Sequence, residues 1–299
     1  MGRCGTTSIQ RLLFTERQKL NAAGFLYFQL DPGGEAHHSL CPLKKELISG
    51  GKLAWNKITE DFFNSTAKNL IISSENLTGV ADELVAHIAD LFSACRVRIL
   101  FLGRDQTDLL PSIFSQWTKA AIRFESFESF FEATKELWHF PKLLDRWREL
   151  FGIENIRCHF LKNNENAVSV FAGYFEDSQC RSILKGGKNE RLNGSLSSEL
   201  LKLIFLYDNA HSNQVPIWKE FPGWDLIEPV SHAAFCDERV QFLAEIERLS
   251  SLIPSPPQNI INSQVYTLIK STYAESNRSF LVEYCRRDPL KIMDSSDNQ

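Results

Sequence analysis

Four short apolar runs, each cut off by a polar or turn residue, alternate along this chain with longer stretches of helical spacing. Phe25-Leu26-Tyr27-Phe28-Gln29-Leu30 predicts a strand that Asp31-Pro32-Gly33-Gly34 breaks. Asn69-Leu70-Ile71-Ile72-Ser73-Ser74 predicts a second strand, stopping at Glu75. Val97 to Gly103 predicts a third, ending at Arg104, and Asn155 to Leu161 a fourth. Between them, Val80, Leu84, Ile88 and Leu91 fall on one stripe and predict an amphipathic helix over 78–94. Helical spacing also runs from Ser8 to Leu13, across 42–66, across 108–122 and across 127–151, where Gly152 supplies a C-cap. Strands alternating with helices predict an α/β fold with a central parallel sheet covered on both faces.

The pattern changes near residue 178. Lys185-Gly186-Gly187-Lys188-Asn189-Glu190-Arg191 is a polar, glycine-rich, basic loop, and Ser195 to Glu199 looks like a helix start. Residues 211–232 read as irregular, 235–252 as a helix, Pro254 to Pro257 as a break and 263–286 as a last helix. The expected organisation is one domain over 1–290, with a core over 1–177, a helical part with a flap over 178–290, and a disordered tail over 291–299. A chain of 299 residues with 43% hydrophobic content can bury such a core. A net charge of -4 gives no bulk reason for nucleic-acid binding, so any basic site is local. Seven scattered cysteines without a CxxC speak against a disulfide framework or a zinc site and for a reducing compartment. The apolar runs are strand-sized, so no membrane span is expected. No signal peptide is visible either.

Candidate chemistry begins at the first helix. Arg3-Cys4-Gly5-Thr6-Thr7-Ser8 places a glycine, hydroxyls and a cation at a helix N-terminus, where free N–H groups and the dipole favour an anion. No Gly-Lys-Ser/Thr is present, so this is not the loop that reaches the terminal phosphates of ATP with magnesium beside it. A sulfuryl group carries less charge than a terminal phosphoryl group, and its transfer needs no metal. Only Met1 and Gly2 precede Arg3, so the strand that such a loop ordinarily follows is missing from this sequence, through a truncated or misassigned start or through loss of a central strand, the first being the expectation. A second anion site is expected at Arg104, at a strand's carboxyl end, with Ser112 in the next helix. Two separate phosphate sites suit a nucleotide phosphorylated at two places and point to sulfuryl transfer.

On these motifs the chain resembles the sulfotransferases that use 3′-phosphoadenosine 5′-phosphosulfate (PAPS), closest to the bacterial branch acting on carbohydrates or lipid-linked glycans. Arg3-Cys4-Gly5-Thr6-Thr7 resembles the 5′-phosphosulfate loop, and Arg104 through Ser112 the 3′-phosphate motif. Softer similarity lies in His37-His38-Ser39-Leu40, Ser73 to Leu77, Arg146 to Gly152, Arg191 to Ser197 and Glu275 to Arg278. Departures are the missing first strand, Arg3 in place of the commoner lysine, and Gly103 before the arginine.

The resemblance implies a three-layer P-loop-type fold and in-line attack of an acceptor hydroxyl on sulfur. Arg3 would stabilise the leaving 5′-phosphate, which Cys4, Gly5, Thr6, Thr7 and Ser8 would hold. Arg104 and Ser112 would bind the 3′-phosphate. Lys185, Lys188 and Arg191 would form a basic flap. PAPS, which is made in the cytosol, is the implied co-substrate, without a metal; the implied partner is a hydroxyl-bearing glycan, and a soluble cytoplasmic enzyme is expected. A base for the acceptor hydroxyl is expected at one of two strand ends. One holds Glu35, His37 and His38; the other holds Glu75. His38 and Glu75 stand level, followed by His37 and then Glu35. Trp55, Trp138, Trp218 and Trp224 are candidates for stacking on sugars or for the core. The rival readings are a degenerate, non-catalytic paralogue and a P-loop small-molecule kinase.

Overall fold

The structure, a computed structural model, describes residues 4–30, 34–42, 47–119, 124, 126–162, 165–187, 198–210, 237–252 and 261–285. In chain order its elements are α1 (Thr6–Thr15), α2 (Arg17–Ala22), β1 (Phe25–Leu26), α3 (Ile48–Phe63), β2 (Asn69–Leu70), α4 (Asp82–Leu91), β3 (Ile99–Arg104), α5 (Gln106–Lys119), α6 (Phe127–Thr134) and α7 (Phe140–Phe151). They continue with β4 (Ile156–Leu161), α8 (Ala167–Gly173), α9 (Ser178–Gly186), α10 (Ser198–Ala210), α11 (Asp237–Leu252) and α12 (Ser263–Ser279). The described part is mixed α/β and mostly helical, with two small parallel sheets, β1 beside β2 and β3 beside β4. The chain divides into two compact units, each drawn from both sides of residue 177. The first holds Met1–Asp105, His139–Leu192 and Glu275–Gln299; the second holds Gln106–Trp138 and Asn193–Ala274.

In the first unit, β3 and β4 pair along their whole length, from Ile99 opposite Ile156 to Arg104 opposite Leu161. The ring of Phe140, at the start of α7, meets Phe101 of β3 at 5.6 Å and Phe280 at 5.2 Å, both edge to face. Gly103 belongs to this packing. A Cβ there would lie 3.4 Å from the Phe140 ring and 3.2 Å from the Phe101 ring, so a bare Cα lets α7 lie close on β3. The Trp55 indole on α3 is buried and donates to Leu40 O at 2.9 Å, which makes it a core residue.

Two expected elements take a different form. Regular pairing of the 25–30 and 69–74 segments covers only Phe25–Leu26 and Asn69–Leu70, with Ile71 N–H on Leu26 O at 2.9 Å as a further rung. Beyond it the ladder is bridged by a side chain. His37 Nε2–H donates to Phe28 O at 2.8 Å, and His37 Nδ1 accepts from Ser73 N–H at 3.2 Å. The helical block expected over 127–151 is two helices, α6 and α7. Pro141 is the reason: it lacks an N–H and crowds the preceding turn, so it fits only at a helix start, where α7 places it. Gly152 closes α7 as expected, with φ of 78° and its N–H on Arg148 O at 2.9 Å.

The second unit is built on aromatic rings. Phe114, Phe127, Phe130 and Trp138 are buried, and Trp117 stands edge-on to Phe130 at 5.6 Å. Trp138 is thus a core residue as well. Leu200, Leu201 and Ile204 of α10 pack with Ile246 of α11. The buried guanidinium of Arg239 caps α5, donating to Lys119 O at 2.9 Å and Thr118 O at 3.1 Å. The irregular segment 211–232 with Trp218 and Trp224, the 254–257 break and the 291–299 tail lie outside the described residues.

Candidate functional site

Gly5 opens α1 with φ of 74°, a left-handed conformation that favours glycine. An ideal Cβ on Gly5 would stand 2.5 Å from Ala167 Cβ, so the loop also needs the missing side chain to lie against the start of α8. Gly5 offers α1 no side-chain cap, and the first turn carries no acidic residue. An anion there would meet main-chain N–H donors without a carboxylate of that turn opposing it. Cys4 is buried behind the loop, and Thr6, Thr7 and Ser8 form the first turn. Arg3 lies outside the described residues.

The hydroxyl of Thr6 leaves this turn toward the end of the β2 segment and donates to Glu75 Oε1 at 2.7 Å. Glu75 begins a 3-10 turn, Glu75–Thr78, capped by Ser74, whose Oγ accepts from Asn76 N–H at 3.2 Å. The second carboxylate oxygen, Oε2, lies 3.3 Å from His38 Nε2. His38 Nδ1 is hydrogen-bonded to Ser74 Oγ at 3.0 Å. A bare imidazole lone pair would be repelled by an ionised carboxylate, which favours the tautomer with its proton on Nε2, the nitrogen nearer Glu75. His38 is then left without a free acceptor nitrogen. Glu75 has two oxygens with roughly four lone-pair sites, and the contacts to Thr6 and His38 do not fill them.

The other proposed bases hold different positions. His37 is buried, and both its ring nitrogens are spent on main-chain groups of Phe28 and Ser73. Glu35 Oε1 accepts from Arg11 Nε of α1 at 2.8 Å. Tyr27 lies under this loop, its hydroxyl donating to Glu35 O at 2.6 Å and its ring 4.3 Å from that of His37. Burial, with the Glu35 and Glu75 charges adding to it, pushes the Tyr27 phenol well above the usual range, so it stays protonated.

Arg104 ends β3 in the first unit, and its Nε is buried without a hydrogen-bond partner among the described residues. A guanidinium N–H left dry in this way fits a missing acceptor such as a phosphate oxygen. Ser112 is buried in the second turn of α5, in the second unit. Lys185 is exposed near the end of α9, while Lys188 and Arg191 lie outside the described residues. Thr6, His38 and Glu75 are therefore the predicted residues brought together. Ser74, which holds His38, was not singled out by sequence. A serine just before a strand-end acid, with Asn76 after it, is a capping pattern that marks it.

Among the described residues no group of three or more His, Cys, Asp or Glu side chains is arranged to hold a metal ion, and no helix is long and apolar enough to cross a membrane. Comparison with family models, with curated proteins and with solved structures finds no match to this chain.

Proposed function

We propose that this chain is a sulfotransferase that moves the sulfuryl group of PAPS to a hydroxyl, placed on a glycan by the resemblance to the bacterial branch. One junction carries the reading: Thr6 at the head of α1 is joined to Glu75 at 2.7 Å, with His38 at 3.3 Å on the other carboxylate oxygen. The loop read as gripping the 5′-phosphosulfate and the residues read as activating the acceptor thus meet at one carboxylate. In this reading the two parallel pairs belong to the central sheet of a three-layer P-loop-type fold, and the enzyme works in the cytosol, where PAPS is made.

Glu75 is the base and His38 is its partner. The acceptor oxygen attacks sulfur while its proton passes to Glu75. The bond from sulfur to the bridging 5′-phosphate oxygen breaks, and adenosine 3′,5′-bisphosphate leaves with that electron pair. Main-chain N–H groups of the first turn of α1, with Thr7 and Ser8, would face the charge developing on the leaving phosphate, and the resemblance adds Arg3 to them. Arg104, whose Nε has no hydrogen-bond partner among the described residues, takes the 3′-phosphate, the role that the resemblance gives it.

Calorimetric titration with adenosine 3′,5′-bisphosphate, AMP and ATP tests this directly. The bisphosphate should bind selectively, and Arg104→Ala should cost about 1.5–3 kcal/mol, roughly ten- to a hundredfold in affinity. Equal affinity for all three nucleotides, or an unaffected Arg104→Ala, would sink the assignment. With a glycan acceptor, Glu75→Gln should bind the bisphosphate but lose turnover, and His38→Gln should keep part of it.

A further inference from the structure

Arg146 belongs to the Arg146–Gly152 stretch, and neither nucleotide binding nor proton transfer has used it. It projects from α7 to the far end of the turn that carries Glu75. Its Nη2 donates to Thr78 O and its Nη1 to Val80 O, with Asp82 Oδ1 3.3 Å from Nη1. The carbonyls at the end of a 3-10 turn lack partners within the turn, so an outside donor decides how firmly the turn is held. The planar guanidinium meets two carbonyls at once, which an ammonium does less well. Thr78 passes the restraint back, because its Oγ1 donates to Glu75 O at 2.8 Å. On the other side, Asn76 Nδ2 donates to Cys41 O at 3.2 Å, tying the turn to the segment just after His38. The Arg146 side chain is only 21% exposed and its Nε is buried without a partner among the described residues, so the contacts on the turn are held at some cost in desolvation. The exposed Asp82 is 84% open to solvent and contributes little to holding it.

We propose that Arg146 is a positioning residue that, by clamping Thr78 and Val80, holds the Glu75 carboxylate within reach of both Thr6 and His38. This deepens the reading of Glu75 as the base and rests on it for its catalytic meaning, but not for its geometry. Arg157 is a matched control. Its Nη1 donates to Glu154 O at 2.8 Å and Ile156 O at 3.3 Å and braces another 3-10 turn, Ile153–Asn155.

The experiment compares Arg146→Gln, Arg146→Lys, Arg157→Gln and Glu75→Gln by two readouts. The first is the imidazole nitrogen spectrum of His38 by NMR, assigned by its loss in His38→Gln and taken in alkaline buffer. It reports which ring nitrogen carries the proton, without any need for turnover. Arg146→Gln should move the His38 pattern to that of Glu75→Gln, Arg146→Lys should move it part of the way, and Arg157→Gln should leave it in place. If Arg146→Gln does not fold, the Arg146→Lys spectrum carries the test. A wild-type His38 pattern in the folded Arg146 variants overturns the proposal. The second readout is PAPS turnover with a glycan acceptor. There kcat should fall about ten- to a hundredfold in Arg146→Gln, as displaced catalytic groups typically do, with bisphosphate affinity unchanged. A shifted His38 spectrum in a protein whose wild type does not turn over PAPS would retain the positioning role and reject sulfuryl transfer.

Discussion

Gly5→Ala probes the loop at its most constrained point and carries two separable penalties. The first is conformational: alanine at φ of 74° places its Cβ against its own backbone, at about 1–2 kcal/mol. The second is steric: the new Cβ would stand 2.5 Å from Ala167 Cβ, and relieving such overpacking costs typically about 1–3 kcal/mol. Alanine also restricts the unfolded chain, which returns about 0.4–1 kcal/mol. The net expectation is a loss of about 1–4.6 kcal/mol, a large share of the roughly 5–15 kcal/mol typical of folded proteins. With a urea m-value of about 2–3 kcal/mol/M, the midpoint should fall by roughly 0.5–2 M. Because the chain has two compact units, tryptophan fluorescence and circular dichroism are followed together, and coincident curves justify a single free energy. Ala167→Gly separates the penalties, since it removes the steric one and leaves the conformational one. The double variant should therefore be more stable than the sum of the two single changes allows. Strict additivity, or an unmoved midpoint in Gly5→Ala, would refute the close approach of the loop to α8.

Two further expectations are independent of this one. In a double-mutant cycle of Thr6→Val with Glu75→Gln, read from urea midpoints, a partly exposed hydrogen bond to a carboxylate predicts a coupling of about 1–2 kcal/mol, and zero coupling would mean that the pair does not form in solution. Burial pushes the Cys41 thiol up to about 12, with a hydrogen bond to Ser74 opposing it. Its folded value lies above its unfolded one, so the stability it contributes is complete below the ordinary thiol range of about 8.5 and is lost as pH rises toward the folded value. Iodoacetamide at about pH 9 should accordingly modify the partly exposed Cys95 well before Cys41, by mass spectrometry, and equal rates would contradict the burial.

What the sequence made legible follows from how much of each signal is local. The β3 run is apolar up to Gly103, β4 keeps Ile156, Cys158, Phe160 and Leu161 beside Arg157 and His159, and the two pair along their whole length. The segments around β1 and β2 are just as apolar, yet pair briefly, because His37 inserts between Phe28 and Ser73; no property of the run itself encodes a side chain arriving from a later loop. The split between α6 and α7 was legible at Pro141, but the aromatic periodicity around it masked the break. Strand ends pointed to His38 and Glu75, since side chains at those ends share a face of an open α/β sheet. The contacts that distinguish them, Thr6 on one carboxylate oxygen and Ser74 on the imidazole, join residues far apart in sequence and needed the fold.

His37 and His38 give the sharpest form of this limit. They are neighbours with the same side chain, and either suits a general base by composition alone. Their difference lies in hydrogen-bond capacity. His37 spends its donor on Phe28 O and its acceptor on Ser73 N–H, so protonating the acceptor nitrogen would break a buried main-chain contact. His38 is bonded at Nδ1 to Ser74, and the tautomer that suits a neighbouring carboxylate turns a proton, not a lone pair, toward Glu75. Neither ring has a vacant acceptor, whereas the Glu75 carboxylate has lone pairs left after Thr6 and His38 are counted. A proton taken from an incoming hydroxyl therefore has one ready destination among these three side chains. In the proposed reaction the imidazole of His38 would steady the charge of that carboxylate before the transfer and lose that attraction after it. Removing Glu75 removes the destination itself, while removing His38 leaves the destination and takes away its support. For this reason the two substitutions should differ in the turnover they leave behind.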